Sequence, residues 1–493
     1  MSKKKSAPAP TRREFLGSAC CAAVGATGIL STLGSLRLMA AAASPTNGPQ
    51  VPSTAANTDI GSDYKALICL FLSGGNDANN LIIPTGADYA AYASARSNLA
   101  IPQASLLPLN PKTSDGRTWG LHPSVAELNT LFNSGQAAFL ANVGTLVYPT
   151  TKAHYTARSI PLPPQLFSHS DQQVQWQHSV PDKLTATGWG GRIADLVNNL
   201  NTSPQISMSV SLAGKNTFEV GSKVNQYVIS TAGAVTMVGS TSPAATVDGI
   251  RFRAQKDIFA QGQSALFETA FGSASGDAIV SAELLNTVLA VAPAITTPFP
   301  TTAGTTSTNG TGLTSAASQL RMVARLIGAS PSLGLKRQIF FVQLGGWDTH
   351  NAQLNLTDPV AGSHAGLLQQ ISKAVDAFYK TTVELGVANQ VTTFSASDFG
   401  RSYRSNGDGS DHGWGSHAFV VGGAVKGREL YGKMPTLTIN GPDDTGHGRW
   451  IPTTSVDEYA ATLATWFGVS PTDLPTVLPN IGRFAKPNLG FLS

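Results

Sequence analysis

Long apolar runs that end in glycine-rich polar turns recur along the chain and predict the strands of one sheet. Three such runs each lead to an aspartate: residues 66–72 to Asp77, residues 338–344 to Asp348, and residues 391–394 to Asp398. Apolar runs of this length are typical of parallel strands that are covered on both faces. The three runs therefore predict central strands of a sheet.

Segments with helical periodicity alternate with these runs. They are residues 123–132, 188–200, 251–294 and 367–385. A capping box at Ser455-Val456-Asp457-Glu458 opens a further helix, which we expect to reach about residue 467. Further strands are expected at 137–143 and 418–421. Because strands alternate with helices, the sequence predicts an α/β fold with a central, mainly parallel sheet that helices flank.

Three stretches depart from this alternation. Residues 203–250 contain short β-favouring pieces separated by Gly, Ser and Thr, which indicate a small β-rich insertion. Residues 295–315 are low in complexity and are typical of a mobile surface loop. Residues 44–62 are rich in Pro, Ser, Thr and Asn and indicate a flexible lead. The main domain is therefore expected to cover residues 63–493.

The N-terminus has the three parts of a secretory signal. Three lysines precede the pair Arg12 and Arg13, a mild apolar stretch follows, and four alanines at 40–43 suit a cleavage site. The adjacent arginines resemble a twin-arginine signal over residues 1–43. The expected partner is the twin-arginine translocation machinery, and the expected location is the periplasm or the exterior. An uncut membrane anchor is the alternative, but Gly, Ser and Arg37 interrupt the stretch. We therefore expect no stable transmembrane segment after cleavage.

Most of the positive charge belongs to this predicted signal. The whole chain carries a formal charge of +4, whereas residues 1–43 hold six Lys and Arg residues against one glutamate, a net of +5. The mature chain is therefore close to −1 and offers no basic surface that would indicate a nucleic acid partner. Without the signal only Cys69 remains, so an intramolecular disulfide is excluded in the mature chain.

The three aspartates that follow the apolar runs are expected to meet. In open α/β sheets, ligands bind beyond the carboxyl ends of the strands. Adjacent parallel strands would therefore bring Asp77, Asp348 and Asp398 into one crevice. Carboxylates packed together repel one another, and a cation between them is a simple way to keep all three ionised. The alternative is that each aspartate only forms a turn.

Nearby histidines narrow the choice of metal. Imidazole and carboxylate together suit zinc, manganese or iron better than calcium. The predicted ligands are Asp77, Asp348, His350, Asp398, His412 and His417. Six groups are more than one ion needs, and two ions about 4 Å apart form the usual clamp at a phosphoryl centre. We therefore expect one or two divalent ions, zinc or manganese.

A second polar cluster lies at residues 167–176. It has the pattern of a helix start, with Ser168 or Ser170 as the capping residue. A helix N-terminus also favours an anion, and a hydroxyl activated by a metal at such a place can act as a nucleophile. Ser168 is therefore either a helix cap or a catalytic residue.

Taken together, four motifs resemble those of the DUF1501 family. They are Leu-Ser-Gly-Gly-Asn-Asp, Gly-Gly-Trp-Asp-Thr-His, Ser-Asp-Phe-Gly-Arg, and Asp-His-Gly-Trp-Gly-Ser-His before an apolar strand. The resemblance covers nearly the whole mature chain, and the N-terminal signal fits it. That family is grouped with the alkaline phosphatase superfamily, which includes sulfatases and cofactor-independent phosphoglycerate mutases. The resemblance therefore implies an alkaline phosphatase-like fold.

The resemblance also implies roles for single residues. The superfamily's metal positions fall on Asp77, Asp348, His350, Asp398 and His417, with Asp77 bridging toward a second metal and the nucleophile. The nucleophile position falls on Ser168. His169 and Arg401, which adjoin these motifs, are candidate substrate-binding residues.

Departures from the superfamily pattern leave more than one function open. Phe399 stands where the superfamily usually has a histidine, and His412 would be its replacement from the next loop. The sulfatase signature Cys-x-Pro-x-Arg is absent, which excludes a formylglycine sulfatase. The first hypothesis is an exported metal-dependent hydrolase that acts on phosphate or related esters. The alternatives are a non-catalytic binding or assembly protein with a degenerate metal site, and a single-metal site that acts on a carbohydrate or polymer.

Overall fold

A computed structural model of the chain describes residues 59–261, 266–355 and 357–493. The predicted signal, with Arg12 and Arg13, and most of the predicted flexible lead lie outside these residues. The described residues form two compact units, of which one is 236–281 and the other is the remainder. The larger unit contains the sheet and the candidate site.

Short and long strands are distributed along the larger unit. The strands are β1 (Lys65–Leu72), β2 (Ile82–Pro84), β3 (Leu107–Leu109), β4 (Trp119–Leu121), β5 (Ala137–Gly144), β6 (Ser209–Ser211), β7 (Tyr227–Val228), β8 (Phe299–Pro300), β9 (Thr306–Ser307), β10 (Arg337–Leu344), β11 (Val391–Ser397), β12 (Arg401–Ser405), β13 (Ser410–His412), β14 (Ser416–Gly422), β15 (Leu430–Tyr431) and β16 (Thr454–Ser455).

Eleven α-helices accompany these strands in the described residues. They are α1 (Tyr89–Arg96), α2 (Ala126–Asn133), α3 (Lys152–Ala157), α4 (His169–His178), α5 (Trp189–Val197), α6 (Val247–Ala260), α7 (Leu266–Val291), α8 (Ser315–Gly328), α9 (Ser363–Glu384), α10 (Val456–Phe467) and α11 (Leu474–Val477). The predicted capping box is present, since Ser455 accepts from the Glu458 N–H and the Glu458 side chain accepts from the Ser455 N–H.

Nine strands form one central sheet in the order β15-β5-β14-β11-β1-β10-β6-β7, with β16 paired to β5. The strands β1, β10, β11, β6 and β7 are parallel neighbours, while β14 runs antiparallel to both β11 and β5. The expectation of a mainly parallel sheet in an α/β fold is therefore confirmed.

Aromatic side chains fill one face of the sheet. Phe394 of β11 lies beside Cys69 of β1 in the register, and Trp176 of α4 stacks on the Phe394 ring at 6.3 Å. Trp189 of α5 and Tyr459 of α10 pack against the same Phe394 ring. Cys69 is fully buried, as its apolar strand predicts. This packing holds α4, whose first residue is His169, close to the end of the central strands.

Residues 203–250, predicted as a small β-rich insertion, contain two short strands. The two strands of this stretch, β6 and β7, extend the edge of the central sheet, because β6 pairs with β10 and β7 pairs with β6. Residues 295–315 contain β8 and β9, which pair antiparallel as a small hairpin. The predicted helical periodicity at 251–294 corresponds to two helices, α6 and α7.

The smaller unit, residues 236–281, contains α6 and the first part of α7. Phe259 and Phe271 make an edge-to-face contact at 5.9 Å within it. In the described part of the chain, Phe267–Val291 is one helical stretch that is long and apolar enough to cross a membrane by length and composition, and half of it is buried. Core helices of globular proteins meet the same two criteria.

Candidate metal centre

The three predicted aspartates follow three neighbouring strands and therefore reach the same edge of the sheet. Asp398 follows β11, Asp77 follows β1, and Asp348 follows β10, and these strands are parallel. His417 lies at the beginning of the antiparallel strand β14, which places it at this edge as well. The prediction of a common edge is confirmed, but the side chains have different surroundings.

Three imidazoles converge on one carboxylate oxygen at this edge. The Nε2 atoms of His350, His169 and His412 lie 3.3, 3.4 and 3.5 Å from Asp348 Oδ1. The ligand atoms of His169, Asp348 and His412 all lie within 4.8 Å of one another. His350 Nε2 is 2.8 Å from His412 Nε2 and joins the group from that side. We call these four residues the metal cluster.

Each imidazole of the metal cluster is held through its other ring nitrogen. The Nδ1 atom of His169 lies 2.7 Å from Asp398 Oδ2, and that of His350 lies 3.1 Å from Asp411 Oδ1. The Nδ1 atom of His412 lies 2.6 Å from the carbonyl oxygen of Phe167. An acceptor at Nδ1 favours the tautomer in which Nε2 carries a lone pair, which is the usual support of a metal-binding histidine. The 2.8 Å contact between the Nε2 atoms of His350 and His412 is a hydrogen bond, so one of these two atoms carries a hydrogen when no ion is bound.

The donor set of the metal cluster fits a divalent ion. Ligand atoms bound at about 2.0–2.1 Å to a tetrahedral zinc ion lie about 3.3 Å from one another, close to the 3.4 and 3.5 Å that separate Asp348 Oδ1 from His169 and His412. His350 Nε2, at 2.8 Å from His412 Nε2, is closer than two such ligands lie. The Nε2 atom of His169 is buried and has no hydrogen-bond partner among the described residues. Three imidazoles and one carboxylate suit zinc better than magnesium or calcium.

The metal cluster is open to solvent. The Asp348 side chain is 48% exposed and that of His350 is 37% exposed, so a substrate can reach the site. Partial burial raises the pKa of Asp348, but the hydrogen bond and the charge of Arg401 outweigh burial and hold this pKa below its ordinary value. The hydrogen bond to Asp398 raises the pKa of His169, whereas burial lowers the pKa of His412.

Phe399 supports the metal cluster by packing. Its ring lies 4.7 Å from the His169 ring and 4.8 Å from the His412 ring, centroid to centroid. A Cβ atom at Gly75 would come within 2.7 Å of the Phe399 ring, which explains the glycine beside it. Position 399, where the superfamily usually has a histidine, therefore carries a phenylalanine whose ring packs against the imidazoles of His169 and His412.

Asp398 faces His169 and does not join the metal cluster. Its Oδ1 atom accepts from the Gly74 N–H, and its Oδ2 atom accepts from Gln173 Nε2 at 2.8 Å in addition to His169. The carboxylate is 1% exposed. Asp398 is buried and is not among the groups whose ligand atoms lie together at the metal cluster, so the structure places it behind His169 and not in the direct ligand position that the sequence predicts.

Asp77 is a structural carboxylate. It is fully buried, pairs with the guanidinium of Arg96 and accepts from Gln353 and Asn79. Burial alone would raise the pKa of Asp77, but the charges of Arg96 and His364 and these hydrogen bonds hold it below its ordinary value. Because Arg96 neutralises Asp77, the structure does not support a metal at this residue.

His417 also lies apart from the metal cluster. Its Nδ1 atom accepts from the Asn142 N–H at 3.0 Å, and the residue is 7% exposed. Burial lowers the pKa of His417 to about 4, so it is neutral at ordinary pH. The predicted role of His417 as a ligand has no support from these contacts.

Arg401 lies beneath the site and does not face a substrate. Its guanidinium is fully buried and donates to the carbonyl oxygens of Gly74, Gly75 and Ser410 and to the Asp348 carboxylate. These oxygens occupy its donors. The predicted substrate-binding role of Arg401 is therefore replaced by a structural one, in which Arg401 balances the charge of Asp348.

Ser168 occupies the capping position of α4, but its hydroxyl donates to Asp171 in the first turn of the same helix. No side chain caps the α4 N-terminus. Among the described residues, the Ser168 hydroxyl contacts Ser170 and Asp171 and no residue of the metal cluster, so these contacts do not support its predicted role as a nucleophile. His169, the next residue, is predicted to bind substrate, and the structure places its Nε2 atom in the metal cluster. Only its position beside Ser168 in a dense polar segment pointed to it.

Comparisons with known proteins locate the chain in a family. The family model described as "Protein of unknown function (DUF1501)" matches residues 64–454. No curated protein matches the sequence.

Several solved structures resemble this chain distantly. The phosphonate monoester hydrolase SpPMH from Silicibacter pomeroyi is 8% identical, with 84% of this chain and 77% of that chain covered and a TM-score of 0.32. The soluble domain of lipooligosaccharide phosphoethanolamine transferase A from Neisseria meningitidis is 9% identical, with coverages of 86% and 95% and a TM-score of 0.33. The sulfatase PsFucS1 from Pseudoalteromonas sp. is 9% identical, with coverages of 84% and 69% and a TM-score of 0.32. At TM-scores this low, these likenesses carry no argument about the activity of this chain.

Proposed function

The chain belongs to the family described as protein of unknown function (DUF1501), and we propose that it is an exported metal-dependent hydrolase that acts on phosphate or related esters. One observation carries this proposal: the Nε2 atoms of His169, His350 and His412 surround Asp348 Oδ1, and an acceptor holds each Nδ1 atom. The donor set supports one divalent ion, with zinc favoured over manganese.

The chain's own residues would bind the ion and orient the substrate. His169, Asp348, His350 and His412 would hold the ion, while Asp398, Asp411 and the Phe167 carbonyl fix the three imidazoles. A divalent ion would supply positive charge to stabilise the negative charge that develops on the ester oxygens. An ester of a tetrahedral oxyanion is therefore the substrate class that fits.

A non-catalytic metal-binding protein is the second candidate. This candidate is favoured because the Ser168 hydroxyl donates to Asp171 and does not contact the metal cluster. The cluster therefore has no serine nucleophile beside it among the described residues. Such a protein would bind a metal and an anion without hydrolysing an ester. The two candidates share the metal cluster and differ in turnover alone.

Metal analysis of the exported chain tests the proposal. We expect about one zinc or manganese ion per chain, and we expect Asp348→Asn and His412→Ala to lose it. His447→Asn alters an exposed histidine outside the metal cluster and serves as the matched control. A panel of phosphate mono- and diesters then separates the candidates, because metal without hydrolysis favours the binding protein. A wild-type chain that binds no metal would contradict both.

Export is part of the proposal. Arg12 and Arg13 in the N-terminal signal support passage through the twin-arginine machinery in a folded state, which suits a protein that takes up a metal before transport.

A further inference from the structure

Arg449 carries a guanidinium group that forms no ion pair within the described residues, although it lies beside the metal cluster. Its guanidinium carbon is 4.8 Å from the centroid of the Phe167 ring. The carbonyl of the same Phe167 accepts from His412 Nδ1 at 2.6 Å. Phe167 therefore contacts both Arg449, through its ring, and His412 of the metal cluster, through its carbonyl oxygen.

The position of Arg449 is fixed from both sides. Asp444 Oδ1 accepts from the Arg449 N–H and from the N–H groups of Gly446 and Gly448, which orders the turn that carries the arginine. The Gly448 carbonyl accepts from the Tyr403 N–H, so the turn is joined to β12, whose first residue, Arg401, pairs with His412. A rigid turn therefore presents the guanidinium beside the metal cluster.

The surface opposite Arg449 is equally constrained. Phe167 has a φ angle of +72°, a left-handed conformation that is rare and strained for a bulky residue. This conformation directs the Phe167 carbonyl to His412, while its ring lies under Arg449. Strain of this kind is retained where a site requires it. Phe167 thus supports the metal cluster and the arginine at once.

The Nε atom of Arg449 is buried and has no hydrogen-bond partner among the described residues. A buried donor without a partner costs free energy unless a ligand satisfies it. Arg401 offers the contrast, because its buried guanidinium is satisfied by protein oxygens. Of these two arginines near the metal cluster, Arg449 is the one with capacity for a ligand.

We infer that Arg449 binds an anionic oxygen of the substrate at the metal cluster and thereby selects esters of phosphate or a similar tetrahedral oxyanion. The inference rests on the proposed function and extends it to a specificity residue. A guanidinium presents two parallel N–H donors to such an oxyanion.

Binding of inorganic phosphate tests this inference without turnover. The full exported chain, with its metal content measured, is titrated with phosphate by calorimetry. We expect Arg449→Ala to weaken phosphate binding roughly ten-fold or more, and Arg449→Lys to weaken it less, because lysine keeps the charge but not the fork. Arg404→Ala, which alters an exposed arginine on β12, the strand joined to the turn of Arg449, should bind phosphate as the wild type does. Metal content should be equal in all four proteins.

The outcomes separate this inference from the proposed function. If the wild type binds metal and phosphate but Arg449→Ala and Arg449→Lys bind phosphate equally well, Arg449 has no such role and the metal-dependent hydrolase stands. If the metal-loaded wild type binds no phosphate, the inference is likewise overturned. If the wild type lacks metal yet loses phosphate binding on substitution of Arg449, the proposed function fails and the inference survives. Should Arg449→Ala unfold, the lysine variant decides.

Discussion

The Nδ1 atom of His169 lies 2.7 Å from Oδ2 of Asp398, and this contact connects two elements that are far apart in the sequence. Asp398 directly follows β11, whereas His169 is the first residue of α4. Because Asp398 is 1% exposed and also accepts from Gln173 and Gly74, it can act on a metal only through the imidazole. The geometry is that of a carboxylate–histidine–metal arrangement, in which the carboxylate orients the ligand.

Asp398→Asn tests this supporting role. The amide keeps the size of the side chain but removes its charge, so we expect metal affinity to fall about 10- to 100-fold while some metal still binds. Asp348→Asn removes a ligand atom and should abolish binding. Affinities are measured by competition with a chelator, and Asp408→Asn, at the exposed tip of the β12–β13 hairpin, is the control. Equal affinities for Asp398→Asn and the wild type would show that Asp398 does not support the site.

Glycine at position 74 is required by the approach of two turns at the sheet edge. A Cβ atom there would lie 2.5 Å from the Asp348 backbone nitrogen, and the φ angle of Gly74 is +121°. We expect Gly74→Ala to destabilise the chain by about 2 kcal/mol or more and to weaken metal binding by displacing Asp348.

Gly345→Ala is the matched control for this change. Gly345 lies in the same turn as Asp348, but a Cβ atom there would meet nothing within 4 Å. Thermal midpoints and metal content of the two variants are compared. If both alanines had the same small effect, the close approach of Gly74 to Asp348 would not be important for the site.

The strands at the site could be predicted from sequence because buried strands are rich in apolar residues, which is a local pattern. Both faces of β1, β10 and β11 are covered, so β1 is almost wholly apolar, while β10 and β11 combine apolar residues with a few buried polar ones. The aspartate after each strand marks the same edge of the sheet. Asp348 and Asp77 look alike in this pattern. Their roles differ because Arg96, on α1, folds back onto Asp77 and neutralises it, and no local pattern encodes that contact.

The place of His169 in the metal cluster could not be predicted for a related reason. It depends on packing of α4 against the sheet through Trp176 and Phe71, which sets the helix start above β11. The sequence shows a polar helix start at this place, but the partner of each side chain is decided by the tertiary fold. The burial of Arg401 beneath Asp348 likewise depends on tertiary contacts, which no local sequence pattern encodes.

Export through the twin-arginine pathway predicts a specific sensitivity. Arg12→Lys with Arg13→Lys keeps the positive charge but removes the guanidinium pair, so we expect precursor to accumulate inside the cell. Fractionation followed by immunoblotting measures this. Lys4→Arg with Lys5→Arg in the same signal serves as the matched control, because it keeps the charge and leaves the pair Arg12 and Arg13 intact, so its export should be unaffected. Unchanged export of the double variant behind its own signal would contradict the twin-arginine prediction.

A buried carboxyl, Glu219, predicts how stability changes with pH. Its Oε2 atom accepts from Asn216 and Gln226, but its Oε1 atom has no partner among the described residues. Burial raises the pKa of Glu219 from 4.5 to about 7, although these two hydrogen bonds oppose the change. The folded chain therefore keeps the proton over a pH range in which the unfolded chain has lost it.

The sign of the effect follows from proton linkage. Below about pH 4.5 both states hold the proton, and above about pH 7 neither does. Between these values the unfolded state ionises first, so the contribution of Glu219 to the free energy of unfolding falls as pH rises, by roughly 3 kcal/mol in total. Glu219→Gln resembles the protonated carboxyl at every pH. We therefore expect this variant to equal the wild type near pH 4.5 and to be more stable by that amount above pH 7. Urea unfolding of both proteins across pH 4.5 to 8 measures the difference, and a difference that does not change with pH would show that Glu219 is already ionised in the folded chain.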